Sequence, residues 1–175
     1  ITHFTFSPDP EIPHVLEGWP AARGATRAHR LDLGALLVRN VHTDLRAEGG
    51  RVAPNGNSVF VFEAAGLCIG HLGHLHHEPD AAQYAAIGRL DVVMAAVDGG
   101  ITLDTPTMLE VMDRFKARVV LPMHWFGRGT LNRFLSGMHD GGFEVVETGG
   151  RDITLSLDRL PRQPTVMLLE PGPLD

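Results

Sequence analysis

Two short, continuously apolar runs, Asp91–Val97 and Arg118–Pro122, are separated by a stretch whose apolar residues recur with the period of a helix. Apolar runs of that length, without alternation, suit strands buried on both faces, and such strands belong to parallel sheets covered by helices. The intervening Met108, Leu109, Val111, Met112 and Phe115 fit one helical face, with Thr105 placed to cap it and Pro106 in its first turn. A further helix follows, with Thr130 as its cap and Leu131, Phe134, Leu135 and Met138 at i, i+3, i+4 and i+7. A short alanine-rich helix is expected at 79–88. The middle of the chain therefore reads βαβαβα.

Around this unit, Leu33 to Val41 suits a strand, and Ser58–Glu63 with Gly66–Gly70 reads as a hairpin about Ala64-Ala65-Gly66. Gly49-Gly50 and Asn55-Gly56-Asn57 read as turns. Phe143–Val146, Ile153–Leu157 and Thr165–Leu169 are expected as closing strands, giving antiparallel strands on either side of the middle. The fold class is α/β or α+β with helices covering sheet faces. Residues 1–32 are punctuated by Pro8, Pro10, Pro13 and Pro20 and read as loop, with one short helix near 9–18. Residues 33–170 carry the sheet and helices, and 1–175 reads as a single domain.

Composition removes several function classes. The net charge is −6 with no basic run, so no nucleic-acid surface is expected. Apolar stretches stop at about strand length, so no membrane-spanning helix is expected. The single cysteine, Cys68, excludes an internal disulfide framework and any multi-cysteine zinc site, and reads as core. The compartment stays open, because the first residue is Ile1 and no leader is visible.

Chemistry concentrates in the histidines. Four of the ten lie in one run, His71, His74, His76 and His77, and another, His124, directly follows the apolar run ending Leu121-Pro122-Met123. A strand fixes the backbone while the loop beyond it presents an imidazole, a common metal ligand near neutral pH. Two strand-end histidine sites point to one centre at a sheet rim. The bland reading of each is a histidine hydrogen-bonded at a sheet edge. His14, His29 and His139 read as surface residues, and Asp98-Gly99-Gly100 as a tight turn that can touch the site. Trp125 and Phe126 can wall a pocket or pack in the core.

The ordered set Gly56-Asn57-Ser58, His71-Leu72-Gly73-His74-Leu75-His76-His77, Asp91-Val92-Val93, Val97-Asp98-Gly99-Gly100, Thr102-Leu103-Asp104 and Pro122-Met123-His124-Trp125 resembles the second half of the metallo-β-lactamase fold. It is most similar to the branch of ascorbate-6-phosphate lactonase-like hydrolases. There the pattern runs G-x-N-S/T, H-L-G-D-x-G-H, D-V-L-x-x-P-V-G-G, T-x-D and P-M-H-Y. The resemblance implies an αβ/βα sandwich with a metal site, usually of two zinc ions, at the sheet edges. It places His124 as the last histidine ligand, His77 as the trailing histidine of the H-L-G-D-x-G-H motif, and His74 where the family has its bridging aspartate. A further family histidine falls near His42 and Asp44. The first-half motif H-x-H-x-D-H falls at or just before residue 1, with His3 the only histidine close by.

The expected metal ligands are thus His3, His74, His77 and His124, with Asp44 and His74 as candidate catalytic groups. An imidazole in place of the bridging carboxylate offers one nitrogen at a time and no charge, so one zinc ion is expected rather than two. The expected activity is metal-dependent hydrolysis of an ester, lactone or phosphoester, a small-molecule substrate. The alternative is a descendant of the fold that binds metal or ligand without turnover. The N-terminal part of the sandwich is expected to be missing from this chain. Its place would be taken by a further N-terminal segment or by a second copy of the chain in an oligomer.

Overall fold

The computed structural model describes residues 11–19, 26–46 and 48–172. One eight-stranded sheet runs in the order β1-β2-β3-β4-β5-β6-β8-β7. The strands are β1 (Arg30–Asp32), β2 (Leu36–Arg46), β3 (Val52–Ala64), β4 (Leu67–His71), β5 (Val92–Ala96), β6 (Val119–Met123), β7 (Glu144–Glu147) and β8 (Thr165–Leu168). Pairing is antiparallel from β1 to β4 and parallel from β4 through to β7. Helices α1 (Ala81–Ile87), α2 (Thr105–Phe115) and α3 (Arg128–Asp140) connect β4 to β5, β5 to β6 and β6 to β7.

Local chemistry explains the elements. The β3–β4 hairpin turns at Ala65 (φ 50°) and Gly66 (φ 79°), both left-handed, as a tight two-residue hairpin turn requires. Asp80 caps α1 in a reciprocal box with Gln83. Asp104 caps α2 by accepting from the Thr107 amide, which places Thr105 and Pro106 inside the first turn rather than at the cap. In α3 the cap is Gly127, and the Thr130 hydroxyl donates to the Gly127 carbonyl.

Three expectations about elements are corrected. Of the helix expected near 9–18, residues 9 and 10 lie outside the described residues, and 11–19, with Pro13 and Gly18, form only a turn and bends. Ile153–Leu157 forms no strand and leads into a short 3-10 turn at Leu157–Arg159. The far flank of the sheet is parallel, because β8 inserts between β6 and β7.

Asn55-Gly56-Asn57 does not turn the chain. It lies inside β3, where Asn55 takes φ 56° and the β2 register slips between Thr43 and Leu45. The result is a bulge, and Asp44 is the unpaired residue opposite it.

The core lies between the helices and one sheet face. Val59, Val61, Val93, Ala95, Val120 and Val166 meet Met108, Val111, Met112, Leu131, Phe134 and Met138 there. Each fully buried side chain of this size contributes roughly 1.5–3 kcal/mol. The alternate positions Phe60, Phe62, Ile69, Met94, Leu121 and Met123 turn to the other face and are half-buried. Part of the N-terminal stretch rests there. The Ser58 hydroxyl donates to the Gly18 carbonyl (2.6 Å), and the His29 ring stacks on Phe60 at 6.3 Å.

Candidate metal centre

The parallel strands β4, β5 and β6 run side by side, so the loops following them gather along one edge of the sheet. His74 lies in the loop after β4, Asp98 in the loop after β5 and His124 directly after β6. The His74 and His124 rings meet edge to face, with centroids 4.5 Å apart. Phe126, largely exposed, packs edge-on against His124 at 4.8 Å.

His74 is buried, and its loop is pinned by Asn57 of β3. The Asn57 carbonyl oxygen accepts from the His74 amide (2.9 Å), and its NH2 donates to the Thr43 hydroxyl (2.8 Å) and the Leu72 carbonyl (3.1 Å). Gly73 makes this possible. Its φ is 62°, and a Cβ there would lie 2.3 Å from the Asn57 side-chain oxygen.

His124 is held from behind. Its Nδ1 lies 3.0 Å from Asp98 Oδ2, and its backbone takes φ 54°, a left-handed conformation unusual for a residue with a side chain. Asp98 is fixed in turn: Oδ1 accepts from the amides of Gly100, Ile101 and Thr102, and Oδ2 from the Thr102 hydroxyl at 2.7 Å. Burial pushes this carboxyl up. The hydrogen bonds from Thr102, Gly100 and His124 outweigh burial and hold its pKa down at about 2.

The other cluster histidines do different work. The bulge leaves the Asp44 backbone groups outside the β2–β3 ladder. Its N–H donates to His77 Nε2 (3.1 Å) and its C=O faces His76 Nδ1 (2.9 Å). His77 Nδ1 faces the Glu78 carbonyl at 2.8 Å, so both its ring nitrogens meet backbone groups. The Asp44 carboxylate accepts from the Asn55 amide across the bulge (2.9 Å). Burial lowers the pKa of His71, whose Nδ1 accepts from the Gly73 amide (3.1 Å), and that of His76. His42 accepts the Arg27 amide on Nε2 (2.7 Å). His3 lies outside the described residues.

The structure therefore brings together His74 and His124, and separately Asp44, His76 and His77. The sequence marks Asp98 as a tight-turn residue that can touch the site but carries no local signal of its hold on His124, because the contact spans two strand ends. Two imidazoles are donors of the kind zinc takes. In number they are half a set: among the described residues no three His, Cys, Asp or Glu side chains come together as a metal cage.

Known proteins share this architecture. A candidate Zn-dependent hydrolase of the metallo-β-lactamase superfamily from Thermotoga maritima is similar over 82% of this chain and 70% of its own, with 27% identity and a TM-score of 0.62. A metallo-hydrolase from the archaeon Ignicoccus hospitalis matches 67% of this chain at 16% identity and a TM-score of 0.50, and the metallo-β-lactamase-fold protein YhfI from Bacillus subtilis matches 82% at 8% and 0.51. This chain spans about half the length of each of those two, 53% and 51%. No curated protein sequence matches it. The family model of the beta-lactamase superfamily domain matches residues 1–124, from ahead of the first described residue to His124 itself, and the chain belongs to the metallo-β-lactamase superfamily.

Proposed function

We propose that this protein is a metal-dependent hydrolase that uses one zinc ion at the edge formed by the loops after β4, β5 and β6. The observation that carries the reading is the His74–His124 pair, with a buried carboxylate behind His124. His74 and His124 would hold the ion, and His3 is the candidate further ligand. Bound there, zinc supplies an electrophile for a carbonyl or phosphoryl oxygen and lowers the pKa of a bound water toward neutrality. Asn57 keeps the His74 loop in place, Asp98 keeps the His124 ring in place, and Trp125 and Phe126 flank the approach. Asp44 or a histidine of the cluster moves protons. His77 is the weakest of the candidate ligands, because its two nitrogens meet the Asp44 and Glu78 backbone.

The ordered motifs favour substrates of the ascorbate-6-phosphate lactonase type: a lactone, ester or phosphoester of a small polar molecule. The half-buried face of Phe60, Phe62, Ile69, Met94, Leu121 and Met123 would be completed by a further segment of polypeptide or by a second copy of the chain. No helix among the described residues is long and apolar enough to cross a membrane.

The test is metal content of the purified protein by elemental analysis, with hydrolysis of chromogenic ester, lactone and phosphodiester substrates before and after chelation. Close to one zinc per chain and chelator-sensitive turnover support the reading. Stoichiometric zinc without turnover supports the second reading, a non-catalytic binder, which an imidazole at the bridging position favours. Failure to bind zinc sinks the first reading and leaves the second only as a binder of some other ligand.

A further inference from the structure

The Asp98 carboxylate lies behind the His124 ring and is surrounded by donors. Three amides converge on Oδ1, from Gly100 (2.9 Å), Ile101 (2.5 Å) and Thr102 (3.1 Å). The Thr102 hydroxyl donates to Oδ2 at 2.7 Å, and among the described residues the other close partner of Oδ2 is His124 Nδ1, at 3.0 Å. The Asp98 side chain is 4% exposed, against 27% for His124. Thr102 is fully buried. The loop Asp98–Thr102 is thus wrapped around this carboxylate, and one lone-pair direction is left to point at the imidazole.

We infer that Asp98 is a positioning residue that fixes His124 in the tautomer protonated on Nδ1, leaving Nε2 as the ring's lone-pair nitrogen. An acceptor-only carboxylate at hydrogen-bond distance requires a proton on the nitrogen that faces it. The left-handed backbone of His124 supports the same conclusion. A non-glycine residue at φ 54° persists where its surroundings over-determine it, and here Asp98 grips the ring from one side while His74 and Phe126 pack on it. Asp98 touches no substrate. It acts through His124, by deciding which nitrogen can accept a proton or donate a lone pair to a cation.

The experiment uses the full chain labelled with nitrogen-15 histidine, kept metal-free, and reads each ring's tautomer from long-range proton–nitrogen correlations. His124 is assigned by its loss in His124→Gln. The wild-type protein is expected to show the Nδ1–H pattern at His124. Asp98→Asn keeps a carbonyl oxygen for the three amides but presents an NH2 to the ring, so its His124 is expected to switch to the Nε2–H pattern. The Thr102 hydroxyl can redirect its proton to the Ala96 carbonyl, at 3.4 Å. Thr102→Val is the structural control: it loosens the loop, leaves the carboxylate on the ring, and is expected to keep the Nδ1–H pattern.

A zinc titration against a competing chelator adds a second readout, which rests on the proposed metal site. Affinity should fall roughly 10- to 100-fold in Asp98→Asn and by less than about threefold in Thr102→Val. An Nε2–H pattern in the wild type, an unchanged pattern in Asp98→Asn, or equal affinity losses in the two variants would overturn the inference. If Asp98→Asn does not fold, the wild-type pattern decides alone. The expected tautomer without zinc uptake would uphold the hold of Asp98 on the ring and sink the ligand role of His124.

Discussion

Two groups of histidines sit within one short stretch of sheet edge and are used in opposite ways. At the ends of β4 and β6, His74 and His124 face each other, and His124 leans on a carboxylate. At the β2–β3 bulge, His76 and His77 substitute for a missing strand: their nitrogens meet the Asp44 C=O and N–H, which the slipped register leaves without ladder partners. On the proposed reading, the first arrangement offers imidazole to a metal ion. The second consumes it inside the backbone. A count of histidines is therefore no count of ligands; what each nitrogen faces decides.

The largest expected effect separates the groups directly. His124→Ala should weaken zinc binding by more than the roughly 10- to 100-fold that loss of an outer partner costs, whereas His77→Ala should stay below that range. Isothermal titration of both variants checks this, and equal losses would erase the distinction. Next comes Asn57→Ala, which strips the buried His74 amide and the Leu72 carbonyl of a partner. Unsatisfied buried groups cost about 1–3 kcal/mol each, so urea unfolding should show a loss of about 2–6 kcal/mol. A loss below about 1 kcal/mol would show that water replaces the bracket.

His77→Ala should cost about 1 kcal/mol of stability by orphaning the half-buried Asp44 amide, with hydrogen exchange accelerated at Asp44 before any other β2 amide. Uniform exchange along β2 would contradict the bulge-plug role.

The smallest effect is in pH. Burial lowers the pKa of His71 from its ordinary value near 6.5, so the folded state takes up its proton later than the unfolded one. Stability should fall as pH drops below about 6.5 and stop falling through this group once pH passes its folded value. His71→Gln should flatten that part of a thermal-denaturation profile.

The sequence made the parallel half legible because its signals are local. Continuous apolar runs and a helix period name β5, α2, β6 and α3, with ends shifted by one residue in the first three, while the α3 cap, Gly127, lies three residues before the expected Thr130. The Ala64-Ala65-Gly66 hairpin was legible for the same reason. Asn55-Gly56-Asn57 was not, since an asparagine at positive φ serves a turn and a bulge equally, and only the length of β2 decides between them. Ile153–Leu157 carries strand-like residues but pairs with no strand, although β7 ends the sheet with an open outer edge. In the site, His74 and His124 could be named one by one. Their pairing, and Asp98 behind them, depend on three neighbouring strands ending together, a long-range fact.

The placement of β8 also governs how the chain is assembled. During synthesis β7 leaves the ribosome before β8, yet among the described residues its one strand neighbour in the finished sheet is β8. Until Thr165–Leu168 emerges, β6 keeps an open edge beside the developing His124 site, and β7 is tethered only through α3. The late strand closes both gaps in one step, like the last stave driven into a barrel. A nascent chain stalled before it would expose an apolar strand edge, the surface that invites wrong pairing with other chains.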